Sequence, residues 1–270
     1  MNLHEKYENL KNIIKSYGSL AVAFSGGVDS TFLLKIAYDV LGDNAIAVTA
    51  RLRFFPEREQ NEATEFCKKE NITHIFCDID ELKIAGVAQN PPNRCYLCKN
   101  EILKQIKQAV EPYNIKYIAE GSHMDDDGQY RPGFQAVIEH GIKSPLKEAG
   151  FTKAEIRELS KELGLPTYNK QSFACLASRF VYGEEIAKEK LSMVEKAEQL
   201  LIDMGFSQIR IRLHGTMARI EINPKEFAKI IEPDISRKIY DEFKRYGFTY
   251  VTLDLNGYRT GSMDEILPEV

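Results

Sequence analysis

Five cysteines and one glycine-rich turn are the residues of this 270-residue chain whose types and spacing could do chemistry. Cys95 and Cys98 flank Tyr96 and Leu97 in a stretch opened by Pro91 and Pro92, which reads as a loop. Cys175 stands in FACLASRF, whose setting is not that of a core run. Cys67 falls on the buried side of an amphipathic helix and Cys77 at the end of an apolar strand, so both read as core thiols. That leaves three thiols for a site. Thiolate is a soft ligand and fits hard-oxygen metals poorly. A closed zinc site takes four ligands, and His123 would complete a Cys3His set. A 4Fe–4S cluster on three thiolates instead leaves one iron open to an exogenous sulfide. Spacing alone does not choose between zinc and iron.

The glycine-rich turn is SGGVDS, Ser25 to Ser30. Glycine at a strand-to-helix junction lets backbone N–H groups approach an anion, and the helix N-terminus adds its own donors and dipole. The turn is shorter than a Walker loop and has no lysine. It carries Asp29, a carboxylate suited to a magnesium ion.

These residues need elements to hold them. LAVAF (20–24), AIAVTA (45–50) and THIFCDID (73–80) are short apolar runs of the kind buried on both faces of a parallel sheet. Helical patterns alternate with them, one beginning at PEREQNEATEFCKKE (56–70) with proline and acids at its start. A further helix follows Cys98, then a strand in KYIAEGS, then a helix opened by the capping box of Thr152 and Glu155 and stopped at Gly164 and Pro166. The expectation is an α/β fold, a parallel doubly wound sheet, over residues 1–178. Residues 179–270 predict a small α+β domain: a charged helix over 184–204, a strand pair in QIRIRLHG and MARIEI, a helix from Pro224 to about Tyr246, and a strand in TYVTLDL.

Composition narrows the partners. Lys plus Arg is 36 and Asp plus Glu 40, a net charge of −4, which argues against a broad nucleic-acid surface. The charged N-terminus lacks a signal-peptide core, and no apolar run reaches the roughly 18 residues of a membrane span. A cytoplasmic protein with no membrane partner is expected, and a reducing compartment disfavours a disulfide staple.

SGGVDS resembles the pyrophosphate loop of the ATP pyrophosphatases, a superfamily that includes GMP synthetase, NAD synthetase and several tRNA-thiolating enzymes. The resemblance implies cleavage of ATP between its α- and β-phosphates. It places Ser25, Gly26, Gly27, Asp29 and Ser30 at the pyrophosphate, Thr49 and Ala50 of VTA at the adenine, and Gly121 and Asp125 of EGSHMDD beside them. The wider pattern is similar to the LarE family of ATP-dependent sulfur transferases: RCYLCK, CLASRF followed by YG, IRIRLHG with ARIEI, and VTLDLNGYRTGSM. This likeness spans nearly the whole chain. It implies that the carboxylates of pyridinium bis-carboxylic acid mononucleotide are adenylated and then converted to thiocarboxylates, for nickel-pincer nucleotide biosynthesis. Some members of the family sacrifice a cysteine at the position of Cys175; others carry three cysteines and a 4Fe–4S cluster. With Cys95, Cys98 and Cys175 together, this chain resembles the cluster type, which implies an exogenous sulfide donor. The family also implies a homo-oligomer.

In QIRIRLHG the period of two sets Arg210, Arg212 and His214 against Ile209, Ile211 and Leu213. Two arginines on one face offer forked donors to phosphate or carboxylate. The plainer reading is a solvated strand face paired to Glu221, and the family likeness favours the first. Arg259 and Arg179 are further candidates. A tRNA thiolase is the alternative enzyme, opposed by the net acidity and by the lack of CxxC pairs at the chain ends. A non-catalytic ATP or iron–sulfur module is the alternative outside enzymes, and substrate-dependent pyrophosphate release separates it.

Overall fold

The structure is a computed structural model that describes residues 1–55, 57–127, 132–171 and 175–267. Pro56, expected at a helix start, and Phe173 and Ala174 of the FACLASRF segment lie outside the described residues. The chain folds as two compact units, Met1–Asp80 with Cys95–Phe173, and Glu81–Arg94 with Ala174–Val270.

In the first unit the order is α1 (Leu3–Tyr17), β1 (Leu20–Ala23), α2 (Val28–Leu41), β2 (Ala45–Leu52), α3 (Glu57–Lys69), β3 (His74–Ile79), α4 (Arg94–Val110), β4 (Tyr117–Ala119), α5 (Gly133–Glu139), α6 (Pro145–Glu148) and α7 (Lys153–Glu162). The strands are all parallel in the order β3-β2-β1-β4. Strand alternation sorts the core into two layers. Leu20, Val22, Ala45 and Ala47 face one way and pack with Leu10, Phe32, Ile36 and Ile156 of α1, α2 and α7. Ala21, Ile46 and Val48 face the other and pack with Leu103 and Ile106 of α4 and Val137 of α5. Helices thus cover both faces, as the buried apolar runs predict. The chain winds outward from β1 to β3 and returns to β4 on the other side of β1. The order reverses between β1 and β4, which is where a doubly wound sheet opens a crevice at its carboxyl ends.

One expectation changes. Cys95 and Cys98 lie at the start of α4, not in a loop. Both prolines stand upstream of the helix, where a missing N–H costs nothing, and the Pro91 carbonyl accepts the Arg94 N–H in the turn that starts it. Farther along α4, Leu103, Ile106 and Val110 form its buried seam against the sheet.

The second unit holds α8 (Lys188–Asp203), β5 (Arg210–His214), β6 (Met217–Glu221), α9 (Phe227–Ile230), α10 (Pro233–Tyr246) and β7 (Tyr250–Leu253). β5 pairs antiparallel with β6, and β6 parallel with β7. The single helix expected from Pro224 to Tyr246 is broken. Pro233 begins α10, and Glu232 before it is extended at ψ 134°. The proline ring excludes the helical conformation from its predecessor, so the chain must restart.

β2 and β3 enclose a histidine whose charge state reports on folding. His74 pairs across the sheet with Ala47, and its ring packs against Phe76. Burial, assisted by Arg51, pushes its pKa down to about 4. An unfolded histidine titrates near ~6.5, so acid protonates the unfolded chain first. Stability attributable to neutral His74 is full above that value and is lost as pH falls toward the folded value. NMR titration is expected to place His74 near 4, and His74→Gln should flatten the loss of thermal stability across that window. A titration near 6.5 would contradict the assignment.

Candidate active site

β1 stays in the sheet to its end, because the Phe24 N–H still donates to the Val48 carbonyl at 2.8 Å. The chain then turns through Ser25–Ser30 into α2. Gly26 makes the turn possible: its φ is +71°, and a Cβ there would stand 3.1 Å from the Ala63 Cβ of α3. Gly27 is the N-cap of α2 and brings no side chain to bond the helix's first N–H groups. Uncapped helix N-termini of this kind are, in general, where anions bind. The two serine hydroxyls, Ser25 Oγ and Ser30 Oγ, lie 3.1 Å apart beside this one.

β4 delivers the opposite wall. Gly121 follows it so closely that a Cβ would lie 3.0 Å from the Asp29 Cβ and 3.1 Å from the Ser30 nitrogen. Between the two loops is a cavity of about 430 Å³, with Ser25, Gly27, Asp29 and Ser30 on one side and Gly121 and Asp125 on the other. Glu120, buried in its wall, accepts from the Ser122 amide at 3.1 Å and from the Ser122 and Ser144 hydroxyls at 2.8 and 2.6 Å. Those bonds fix the loop after β4. His123 is 7% exposed, lines the cavity, and its Nδ1 has no hydrogen-bond partner.

α7 adds two contacts to the same cavity. Lys153 Nζ donates to both carboxylate oxygens of Asp29, at 2.7 and 2.5 Å, and the Lys153 amide donates to Asp125 Oδ2 at 2.7 Å. A lysine in the first turn of a helix opposes the helix dipole. The Asp29 carboxylate offsets that cost. Lys99, one residue beyond Cys98 on α4, also lines the cavity. Cys95 is exposed and Cys98 half-buried, so neither is a core thiol. Gly133 lets α5 approach them: a Cβ there would lie 3.4 Å from the Cys95 carbonyl oxygen.

Other expected residues lie elsewhere. Thr49 is buried at 4% exposure, its hydroxyl donating to the Phe24 carbonyl at 2.7 Å and lying 2.7 Å from His74 Nε2. Ala50 pairs with Cys77 in the sheet. Neither is among the residues lining the cavity, nor is Gly26, whose carbonyl faces Lys170. Cys67 and Cys77 are buried, and burial pushes the Cys67 thiol up to about 12, as expected of a core thiol.

In the second unit Cys175 precedes a short 3-10 turn, Leu176–Arg179. Its carbonyl accepts from the Ser178 amide at 2.9 Å and from Arg179 Nη1 at 3.3 Å. Arg179 is fully buried and pairs through two nitrogens with Glu198, at 2.8 and 3.0 Å. Burial drives the Glu198 pKa up, but the charge and hydrogen bonds of Arg179 outweigh it and leave it lowered. Arg210 and Arg212 do not stand on a solvated face. They are 7% and 5% exposed, and the residue between them is buried too. Arg212 bonds Glu221 and the Ser178 carbonyl, each at 3.0 Å, and Arg210 stacks 5.1 Å from the Tyr258 ring. Burial first, then the charge of Arg179, lowers the Arg210 pKa. Arg259 lies farther out, paired with Glu265 at 2.6 Å and Asp254 at 3.2 Å.

A PP-loop domain family matches residues 1–131. The pyridinium-3,5-bisthiocarboxylic acid mononucleotide synthase of Lactiplantibacillus plantarum is 33% identical over 98% of this chain and 96% of its own. The chain belongs to the LarE family of ATP-dependent sulfur transferases. An uncharacterised protein of Synechocystis sp. is 39% identical over 98% of this chain and 99% of its own. More distantly, a glutamine-hydrolysing GMP synthase component from Thermoplasma volcanium is 24% identical over 90% of this chain and 78% of its own.

For a LarE family enzyme the phosphate loop and the loop after β4 stand together as the sequence suggests. Lys99, Lys153, Glu120 and Asp126 join them without having been expected. Lys153 carried a readable signal, a cation at the start of a well-capped helix. Glu120 carried none, because only the fold shows that it is buried. The thiols suit iron by donor type, and Cys95 and Cys98 are three positions apart on one helix. Cys175 belongs to the other unit, and among the described residues no three His, Cys, Asp or Glu side chains gather as a metal site.

The turn after Cys175 depends on its buried ion pair. Arg179→Met strands the Glu198 carboxylate and should cost about 3–5 kcal/mol in urea unfolding. Arg259→Met, at a half-exposed pair, should cost about 1 kcal/mol or less. Equal losses would show that the buried pair is not what holds the turn.

Proposed function

We propose that the enzyme adenylates the two carboxylates of pyridinium bis-carboxylic acid mononucleotide and converts each to a thiocarboxylate, a step of nickel-pincer nucleotide biosynthesis. The observation that carries this reading is the near full-length likeness to the Lactiplantibacillus plantarum synthase. ATP enters with its pyrophosphate end at Ser25, Gly26, Gly27 and Ser30. The substrate carboxylate attacks the α-phosphorus and pyrophosphate leaves. The resulting mixed anhydride has AMP as its leaving group, so sulfur displaces it readily.

Charge supports a metal at this site. Four carboxylates, Asp29, Glu120, Asp125 and Asp126, line the cavity against two ammoniums, Lys99 and Lys153. A triphosphate entering such a cavity is repelled unless a divalent cation accompanies it. Asp29, with Asp125 opposite, would hold magnesium, which neutralises the phosphate charge. The Thr49 hydroxyl is already engaged within the sheet, so its backbone is the group that would meet adenine, with Ala50 beside it. Arg210 and Arg212 would bind substrate phosphate and carboxylate while Glu221 holds Arg212.

Cys95, Cys98 and Cys175 would hold a 4Fe–4S cluster, which when bound supplies an open iron to carry sulfide from an exogenous donor. The reading rests on ligand type, ligand number and the family likeness. A second reading rests on the same family likeness and on Cys175 alone. In it Cys175 gives its own sulfur: its thiolate displaces AMP, its Cβ–S bond breaks, and dehydroalanine remains. We further propose a cytoplasmic homo-oligomer that needs neither nucleic acid nor membrane.

Two measurements test the reading. Asp29→Ala should abolish substrate-dependent pyrophosphate release while leaving any iron content unchanged; normal release would remove Asp29 from the metal site. Protein purified without oxygen should hold about four irons with matching acid-labile sulfide, lost in Cys95→Ala/Cys98→Ala. Iron-free protein that makes one product and loses a sulfur mass from Cys175 would establish the sacrificial route.

A further inference from the structure

Lys170 lies in the polar connector after α7 and has no place in the chemistry above. Its side chain is only 14% exposed. The ammonium reaches Glu59 and Glu62 of α3, at 2.6 Å each, and the Gly26 carbonyl oxygen of the phosphate loop at 3.2 Å. Its own backbone is held in turn. Arg157 of α7 donates to the Tyr168 and Lys170 carbonyls, each at 2.7 Å. An ammonium paired with two carboxylates is a tie that many surface helices carry. Committing one of its three donors to a loop carbonyl is a different matter.

That carbonyl decides where an amide points. The chain has no cis peptide bond among the described residues. In a trans peptide the C=O and the following N–H point in opposite directions. Gly26 turns its carbonyl toward Lys170, away from the cavity, and Gly27 lines the cavity. The Gly27 N–H therefore faces inward, where it donates a long bond of 3.4 Å to the cavity-lining Ser25 Oγ that a phosphate oxygen would replace. Gly26, at φ +71° and with no Cβ, can rotate its peptide with little steric cost. A glycine peptide of this kind flips unless something holds its oxygen. In the flipped form a carbonyl dipole would face the phosphate where a donor should be.

We propose that Lys170 is a positioning residue for the phosphate loop: it holds the Gly26 carbonyl outward so that the Gly27 amide is presented to the pyrophosphate moiety of ATP. The inference rests on the proposed seat of pyrophosphate at this loop. An amide donor presented in this way binds phosphate in the ground state and the transition state alike. Its loss therefore raises KM and leaves the rate at saturation nearly intact.

The test uses the full chain, with inorganic pyrophosphate as the binding probe and ATP as the kinetic one. Lys170→Met should weaken pyrophosphate binding and raise the KM for ATP together, by about tenfold, with the saturated rate of AMP formation changed less than about twofold. Lys170→Arg should recover most of the affinity, since a guanidinium also donates to a carbonyl. Lys170→Met takes the nearer cation from the buried Glu59 and leaves it Arg58 at 3.5 Å, which works against folding, so Lys170→Met/Glu59→Gln removes that charge and is measured beside it. A folded double variant that binds pyrophosphate as the wild type does would overturn the inference alone. Wild-type protein that binds no pyrophosphate would overturn the seat of pyrophosphate and the inference with it.

Discussion

A loop that is to hold phosphate must leave its backbone N–H groups only weak partners, here the loop's own serine hydroxyls at 3.3 and 3.4 Å, and a loop with such loosely held donors tends to collapse onto itself. Most of the first unit's detail answers this one constraint. Gly26 takes a left-handed turn against Ala63, Gly121 packs from the other side onto Asp29 and Ser30, and Lys170 occupies the Gly26 carbonyl. Each contact comes from a different part of the chain. The parallel sheet brings them together, because its strand order reverses between β1 and β4 and leaves both following loops at one edge.

The cavity proposed to accept an anion carries four carboxylates against two ammoniums. Lys153 answers part of that charge by sitting on Asp29, and its amide does the same for Asp125. α7 thus acts through its N-terminus, with an ammonium and a backbone donor on two aspartates. In the second unit the problem is inverted. Arg179, Arg210 and Arg212 are buried close to Glu198 and Glu221, and hydrogen bonds from Arg179 and Arg212 end on the carbonyls of Cys175 and Ser178. Buried guanidiniums need every donor satisfied. Satisfying them shapes the turn that presents Cys175.

Much of this was legible along the chain. Buried apolar runs with helices between them imply the parallel sheet, and SGGVDS at the first strand's end implies where the site lies. The capping box at Thr152 and Glu155 appears as expected, with both reciprocal bonds formed. Pattern failed where a local rule had two outcomes. Pro91 and Pro92 suggested a loop around Cys95, yet prolines just before a helix are equally natural, and the Arg94 amide closes on the Pro91 carbonyl to start the helix there. The alternation of Arg210 and Arg212 with apolar residues left a solvated face open as the plainer alternative, and both arginines are buried. Alternation reports which residues share a side, and it is silent on what covers that side.

The sequence by itself determined the order of elements, the phosphate turn and the family, because these rest on neighbours in the chain and on motif spacing. Only the tertiary structure decided that Lys153 meets Asp29, that Lys170 meets Gly26, and that the arginines of β5 are buried. The first two pair a charge with a group more than a hundred residues away, and the third depends on what covers the strand. Such pairs follow from the packing of whole elements, where the cost of burying a charge selects the partner, and no local pattern records that choice.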